Sequence, residues 1–157
     1  MATMAVDIIR RRLRTYADQG VFQGLSETTG RLGKTTFNFR WLLGSEFALV
    51  LDPKKHEIVV KDVLPSIDHR SFIDRDLRRF IAGRTDTKLP AHRRLDADCV
   101  TLSYTNRKQS VSLVMRADEA QYDYAIKSLF TTLNDLFAYL NLYHIDYLHR
   151  NFAVPEE

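Results

Sequence analysis

The sequence contains a single cysteine, Cys99, among 157 residues. One cysteine cannot form an intrachain disulfide, and it excludes any metal site built from several cysteines. We therefore expect the protein to reside in a reducing compartment, the cytoplasm. Because Cys99 lies beside a predicted strand, we interpret it as a small core residue rather than a nucleophile.

Long hydrophobic runs are also missing. The longest apolar run, Phe47 to Leu51, is far shorter than the ~20 residues that a membrane span requires. Charged residues appear as early as Asp7 and Arg10, before the core of a signal peptide is complete. We expect a soluble, unsecreted protein with no membrane partner. An apolar content of 45% with 27% charged residues is typical of one folded domain, which we assign to residues 1–157.

The sequence lacks a complete catalytic, cofactor or metal motif. Thr28 to Thr35 ends in Gly-Lys-Thr like a phosphate-binding loop, but Thr28 stands where such a loop needs glycine, and the next residues alternate like a strand. We interpret this stretch as a glycine turn entering a hairpin. His144 and His149 are five residues apart, not the four that place two ligands on one helical face. We therefore predict a non-catalytic protein with no metal or cofactor.

The most regular stretch runs from Asp118 to about Tyr147 and predicts a long amphipathic helix. Its apolar residues recur at steps of four and three, the spacing of a helix packed along its length. They are Tyr122, Ile126, Leu129, Leu133, Leu136, Leu140, Tyr143 and Tyr147. Asp118 with Gln121 three residues later predicts a capping box at the start of this helix.

The preceding residues predict two more helices and five strands. A helix before Gly20 is followed by a glycine-rich connector over residues 20–33, three strands, and a second helix capped by Ser71 and closed by Gly83. A long loop, Arg84 to Asp98, precedes a final hairpin. The predicted order is α-β-β-β-α-β-β-α. We expect an α+β fold in which helices pack on one face of a five-stranded antiparallel sheet.

This order of elements resembles the type III secretion chaperone-like fold, including the bacterial YbjN-type proteins. The resemblance spans nearly the whole chain and consists of element order and size. It implies a small cytoplasmic dimer that binds another polypeptide and does no chemistry. The chain departs from the secretion chaperones in being basic where those are typically acidic.

The length of the last helix also favours a partner. Unbroken, it would extend about 45 Å, whereas a five-stranded sheet is about 24 Å wide. Either the helix breaks near Asn141 and folds back, or Leu140, Tyr143 and Tyr147 are buried against a second subunit across a two-fold axis. We predict a homodimer that uses these three residues.

The charge distribution suggests an alternative function. The segment from Arg70 to Arg94 contains eight Arg and Lys residues against three Asp residues, a formal charge of +5 where the whole chain carries +3. Such a cluster is typical of anion or nucleic-acid binding. The candidate contacts are Arg84, Lys88, His92, Arg93 and Arg94. Intrahelical pairs such as Asp74 with Arg78 neutralise part of this charge, so we rank polypeptide binding first.

Overall fold

The computed structural model describes residues 2–152, with side chains from Ala5 onward. It contains four helices and six strands in the order α-β-β-β-β-α-β-β-α-α. The helices are α1 (Ala2–Asp18), α2 (Phe72–Ala82), α3 (Tyr122–Tyr143) and α4 (Ile145–Asn151). The strands are β1 (Gln23–Thr29), β2 (Thr35–Arg40), β3 (Glu46–Asp52), β4 (Glu57–Leu64), β5 (Val100–Arg107) and β6 (Ser110–Ala117).

The six strands form one antiparallel sheet in the order β1-β2-β3-β4-β6-β5. One transverse row shows how the register gathers apolar side chains on a single face. Phe37 pairs with Leu49, Leu49 with Val60, Val60 with Leu113 and Leu113 with Tyr104. All five side chains are buried, because successive residues of a strand point to opposite faces and these five share the face toward the helices.

The α+β class and the antiparallel sheet are confirmed, but the predicted count of five strands is wrong. The missed strand is β1, which lies inside the predicted connector over residues 20–33. Its sequence, Gln-Gly-Leu-Ser-Glu-Thr-Thr, has one apolar residue, Leu25, and nearly all its side chains are exposed. Backbone hydrogen bonds to β2 hold it at the edge of the sheet, with an irregularity between Gln23 and Ser26. Hydrophobic alternation cannot reveal a strand that buries neither face.

The helices cover the inner face of the sheet. The predicted seam is confirmed from its start to Leu140, since Tyr122, Ile126, Leu129, Leu133, Leu136 and Leu140 are all buried, but Tyr143 is exposed and Tyr147 lies in α4. The ring of Phe130 lies 5.7 Å from that of Phe39 on β2 and 5.0 Å from that of Tyr16 on α1. Helix α3 therefore joins α1 to the sheet.

Both ends of α3 differ from the prediction. Asp118 makes no side-chain capping bond, and a 3₁₀ turn (Glu119–Gln121) precedes the helix, which begins at Tyr122. At its other end the helix stops at Tyr143, so it spans about 33 Å rather than about 45 Å. The chain breaks at His144, three residues beyond Asn141, and continues as α4, so the structure agrees with the predicted alternative of a break near Asn141.

Helix α4 is fastened to the loop between β4 and α2. The hydroxyl of Tyr147 donates a 2.6 Å hydrogen bond to the carbonyl oxygen of Pro65. Burial raises the pKa of this hydroxyl well above its ordinary value, so it remains a donor. Leu148 is also buried, and α4 thereby becomes part of the core.

The predicted N-terminus of α2 is confirmed, because the Ser71 side chain accepts a 3.2 Å hydrogen bond from the backbone N–H of Asp74. The buried Asp74 carboxylate accepts hydrogen bonds of 2.9 Å from the backbone of Arg70, the hydroxyl of Tyr104 and the amide of Asn106. Burial favours the neutral acid, but these hydrogen bonds outweigh it and lower the pKa of Asp74. Asp74 thus links α2 to β5.

Candidate functional site

The helices leave the outer face of the sheet uncovered. Its central row consists of Thr36, Val50, Val59, Val114 and Ser103, which lie side by side on β2, β3, β4, β6 and β5. All five are partly exposed, and the three valines are not packed against the hydrophobic core. We call the outer side chains of these strands the open face.

Most charged residues of the open face form pairs near the ends of the strands, but Lys61 on β4 is exposed beside Ala48, two residues from Val59. Arg116 Nη2 lies 3.2 Å from Glu57 Oε1 at one end of the strands, and Arg40 Nη2 lies 3.6 Å from Glu46 Oε1 at the other. Each pair is cross-strand and self-neutralising. The central row itself is therefore uncharged and is built from short side chains, with Lys61 at its border.

A second surface feature is an exposed aromatic corner where α2 begins and α3 ends. Phe72 is 74% exposed, Tyr143 is 67% exposed, and the neighbouring Leu142 is 72% exposed. The ring of Phe72 lies 6.0 Å from that of His144, and the ring of Tyr143 lies 4.8 Å from that of Tyr139. We call Phe72, Leu142 and Tyr143 the aromatic corner.

The aromatic corner rests on a polar cluster shared by three elements. Asp76 on α2 accepts 2.9 Å hydrogen bonds from the hydroxyl of Tyr139 on α3, and a 2.6 Å hydrogen bond joins Asp76 Oδ2 to His144 Nε2. Burial, followed by the hydrogen bond to Asp76, raises the pKa of Tyr139. The ring of Phe80 packs 4.7 Å from Tyr139. These contacts fix the end of α3 against α2.

A groove of about 540 Å³ adjoins the corner, between α4 and the loop that leads into α2. Tyr143, Ile73 and Ile145 contribute apolar surface to it. Its charged lining residues have both signs, since Asp68 and Asp146 lie in it together with Arg150. We call it the α2–α4 groove.

The three residues predicted for a dimer interface have different locations. Leu140 and Tyr147 are buried in the core of the chain itself, whereas Tyr143 lies on the surface. The homodimer stays a prediction, and Tyr143 is the member of the three that is exposed to a second subunit. Sequence reasoning missed Phe72. Its signal was an apolar residue immediately after the Ser71 cap and outside the inward set of α2.

The five predicted anion contacts are not all available to a ligand. Arg84 is buried, where its guanidinium forms an ion pair with Asp135 on α3 and donates a 3.0 Å hydrogen bond to the carbonyl of Arg93. Lys88, His92 and Arg93 have exposed side chains. Binding of anions by this segment stays a prediction, and loss of salt-dependent nucleic-acid retention in an Arg93→Ala variant would be its test.

The loop that carries these residues is folded back on itself. The backbone N–H of Leu95 donates a 2.8 Å hydrogen bond to the carbonyl of Arg84, and the side chain of Leu95 is buried. Arg94 Nη1 donates a 3.0 Å hydrogen bond to the carbonyl of Thr87. Tyr124 on α3 accepts from the backbone N–H of Asp96 at 3.0 Å. Arg84 and Arg94 therefore hold the loop in place.

Two further sequence candidates have structural roles. The stretch that resembles a phosphate loop is the turn between β1 and β2, where the backbone N–H of Gly30 donates a 2.8 Å hydrogen bond to the carbonyl of Lys34. A strand follows it, as predicted. The thiol of Cys99 donates a 3.4 Å hydrogen bond to Asp96, which raises the pKa of the thiol and disfavours the reactive thiolate.

Within residues 2–152, the structure contains no group of three or more His, Cys, Asp or Glu side chains able to hold a metal ion. In the same part of the chain, no helix combines the length and apolar character needed to traverse a membrane. We compared the chain with protein-family models, curated proteins and solved structures, and none of the three comparisons found a match.

Proposed function

We propose that the chain is a non-catalytic, cytoplasmic protein-interaction module that acts as a homodimer and binds another polypeptide on the open face of its sheet. The observation that carries this proposal is the uncovered central row, in which Val50, Val59 and Val114 adjoin one another without a helix above them. Three adjoining, partly exposed valines that no helix covers are a candidate binding surface, and the charged residues nearest to them include Glu57 and Lys61 beside Val59 on β4 and Arg116 beside Val114 on β6.

The dimensions of the open face fit a specific protein interface. Six strands spaced about 4.8 Å apart, each about 20–26 Å long, give an area of roughly 600–750 Å². A standard protein–protein interface buries about 800 Å² on each partner. The open face is thus large enough to form most of one side of such an interface.

The side chains of the open face indicate the character of the partner. Thr36, Ala48 and Ser103 are short, and the valines between them do not project far from the sheet. Apart from Lys61, such a surface has no long side chains of its own to insert, so we expect the partner to supply large apolar residues that lie across it. The resemblance that implies a chaperone-like role is based on a predicted order with three strands before α2, whereas the structure has four, so the open face and not the element order supports this proposal.

Affinity capture followed by reconstitution tests this function. The wild-type chain, Val59→Lys and Val21→Lys would each be used to capture proteins from the native cell, and a captured polypeptide would be purified and titrated by calorimetry. Val21 is an exposed valine outside the sheet, so its substitution is the matched control. We expect Val59→Lys to weaken binding at least about tenfold, because a charge then lies beneath the apolar contact.

Equal melting temperatures of the two variants would show that both are folded. The proposal is refuted if the purified polypeptide binds Val59→Lys as tightly as it binds the wild type. It is also refuted if the captured material is nucleic acid that elutes with salt, which would favour the basic segment instead.

A further inference from the structure

The aromatic corner differs from the other exposed apolar residues of the described chain. Val21 and Leu32 lie outside the helices and strands, and Leu43 lies in a three-residue 3₁₀ turn, Leu42–Gly44. Phe72 and Tyr143, by contrast, come from two different helices. The ring of Phe72 lies beside His144, the ring of Tyr143 lies beside Tyr139, and His144 and Tyr139 are neighbours. Aromatic residues of this kind dominate the energetics of protein interfaces.

The corner is held rigidly before any partner binds. Asp76 fixes both Tyr139 and His144, and these two rings contact Tyr143 and Phe72 respectively. Side chains that are already ordered lose little conformational entropy on association. A rigid, exposed aromatic pair is therefore well suited to bind by insertion.

The α2–α4 groove beside the corner supplies the complementary shape. Its volume of about 540 Å³ is within the range of pockets that accommodate a ligand larger than one aromatic ring. Tyr143 belongs to both features, since it is part of the corner and lines the groove. The aromatic corner and the groove therefore belong to one surface. Such a surface suits an isologous contact, in which both subunits use the same self-complementary patch.

The charged side chains of the groove have both signs. Asp68, Asp146 and Arg150 line it, and none of the three forms an ion pair with a residue that the structure describes. A two-fold axis through such a patch can bring an acid of one copy toward the base of the other, and this arrangement needs no second kind of protein. A strongly acidic partner would oppose the two acids, and a strongly basic partner would oppose Arg150.

We infer that a second copy of this chain docks on this surface, so that Phe72 and Tyr143 of each subunit enter the α2–α4 groove of the other across a two-fold axis. This inference rests on the homodimer of the proposed function and assigns its interface. The open faces of both subunits remain free for another polypeptide.

Sedimentation velocity over a range of concentrations tests the interface with three variants. Phe72→Ser and Tyr143→Ser each remove one exposed aromatic ring, and Leu32→Ser removes a side chain of similar exposure, 70%, from the turn between β1 and β2. We expect the wild type and Leu32→Ser to form dimers at micromolar concentration. Each aromatic variant should raise the dimer dissociation constant at least about tenfold.

Because all three side chains are exposed, the variants should melt at the temperature of the wild type. A wild type that remains monomeric at high concentration overturns the inference, as does a dimer whose dissociation constant is unchanged by both aromatic substitutions. If the wild type is a monomer whose polypeptide binding is weakened by Val59→Lys, the dimer interface is refuted and the binding function of the open face is not. A dimer that binds no polypeptide overturns the function of the open face alone.

Discussion

Replacement of Asp74 by alanine should destabilise the fold more than any other substitution of an acidic residue in α2. The carboxylate is buried and accepts hydrogen bonds from Tyr104, Asn106 and the backbone of Arg70. In the alanine variant the Tyr104 hydroxyl and one N–H of the Asn106 amide lose their acceptor, while the Asn106 amide keeps its hydrogen bond to the carbonyl of Ile67. Each stranded donor costs about 1–3 kcal/mol.

The remaining partners of Asp74 contribute less. Arg70 is exposed, so water can satisfy its N–H, and the ion pair with Arg78 is 3.8 Å long with a half-exposed guanidinium. We therefore expect Asp74→Ala to lower the free energy of unfolding by about 3–4 kcal/mol, a large share of the 5–15 kcal/mol that folded domains typically have.

Urea unfolding followed by circular dichroism measures this loss. Asp118→Ala is the matched control, because Asp118 is exposed and makes no capping bond, and its effect should be below about 0.5 kcal/mol. An Asp74→Ala variant within about 1 kcal/mol of the wild type would refute the role assigned to this network.

The pH dependence gives an independent check. Since the fold lowers the pKa of Asp74, its charged form contributes stability above the unfolded pKa of about 3.9, and this contribution is lost as the pH falls through the folded pKa. Asp74→Asn cannot titrate. The difference in unfolding free energy between the wild type and Asp74→Asn should therefore narrow on acidification below about pH 4, and a constant difference would contradict the assignment.

Three further substitutions test the packing. Arg84→Ala should lower the free energy of unfolding in urea by about 2–3 kcal/mol, because Asp135 then loses its buried partner. An unchanged free energy of unfolding would mean that Arg84 is free to bind ligands. Tyr147→Phe removes the hydrogen bond to Pro65 and should lower the free energy of unfolding by about 1 kcal/mol. The backbone amides of α4 should also exchange their hydrogens faster than in the wild type. Leu133→Ala, at the middle of the α3 seam, should cost about 2–5 kcal/mol, and a smaller cost would show that this seam is not the core.

Much of the fold could be predicted from the sequence because most elements bury one face. The seam of α3 and the strands around Phe37, Leu49 and Val60 have apolar residues at the period of their secondary structure, and burial follows directly from that pattern. Strand β1 could not be found in this way, since its side chains are exposed on both faces and backbone pairing alone defines it.

The candidate sites were less predictable because they depend on tertiary contacts. Tyr143 and Tyr147 are successive members of the apolar repeat, yet Tyr143 is exposed and Tyr147, beyond the break at His144, is buried. Arg84 belongs to a basic segment in the sequence, but its partner Asp135 is 51 residues away on α3. Spacing along the chain carries no information about contacts of this kind.

The open face is tested most directly by the reactivity of a cysteine at Val59, placed in a Cys99→Ser background so that it is the sole thiol. A water-soluble thiol reagent should modify this cysteine in the free dimer, and saturation with the purified polypeptide should slow the reaction at least about tenfold, because the contact excludes the reagent. A cysteine at Leu32 should react at the same rate with and without the polypeptide. An unchanged rate at position 59 in the complex would contradict the proposal that this face binds the partner.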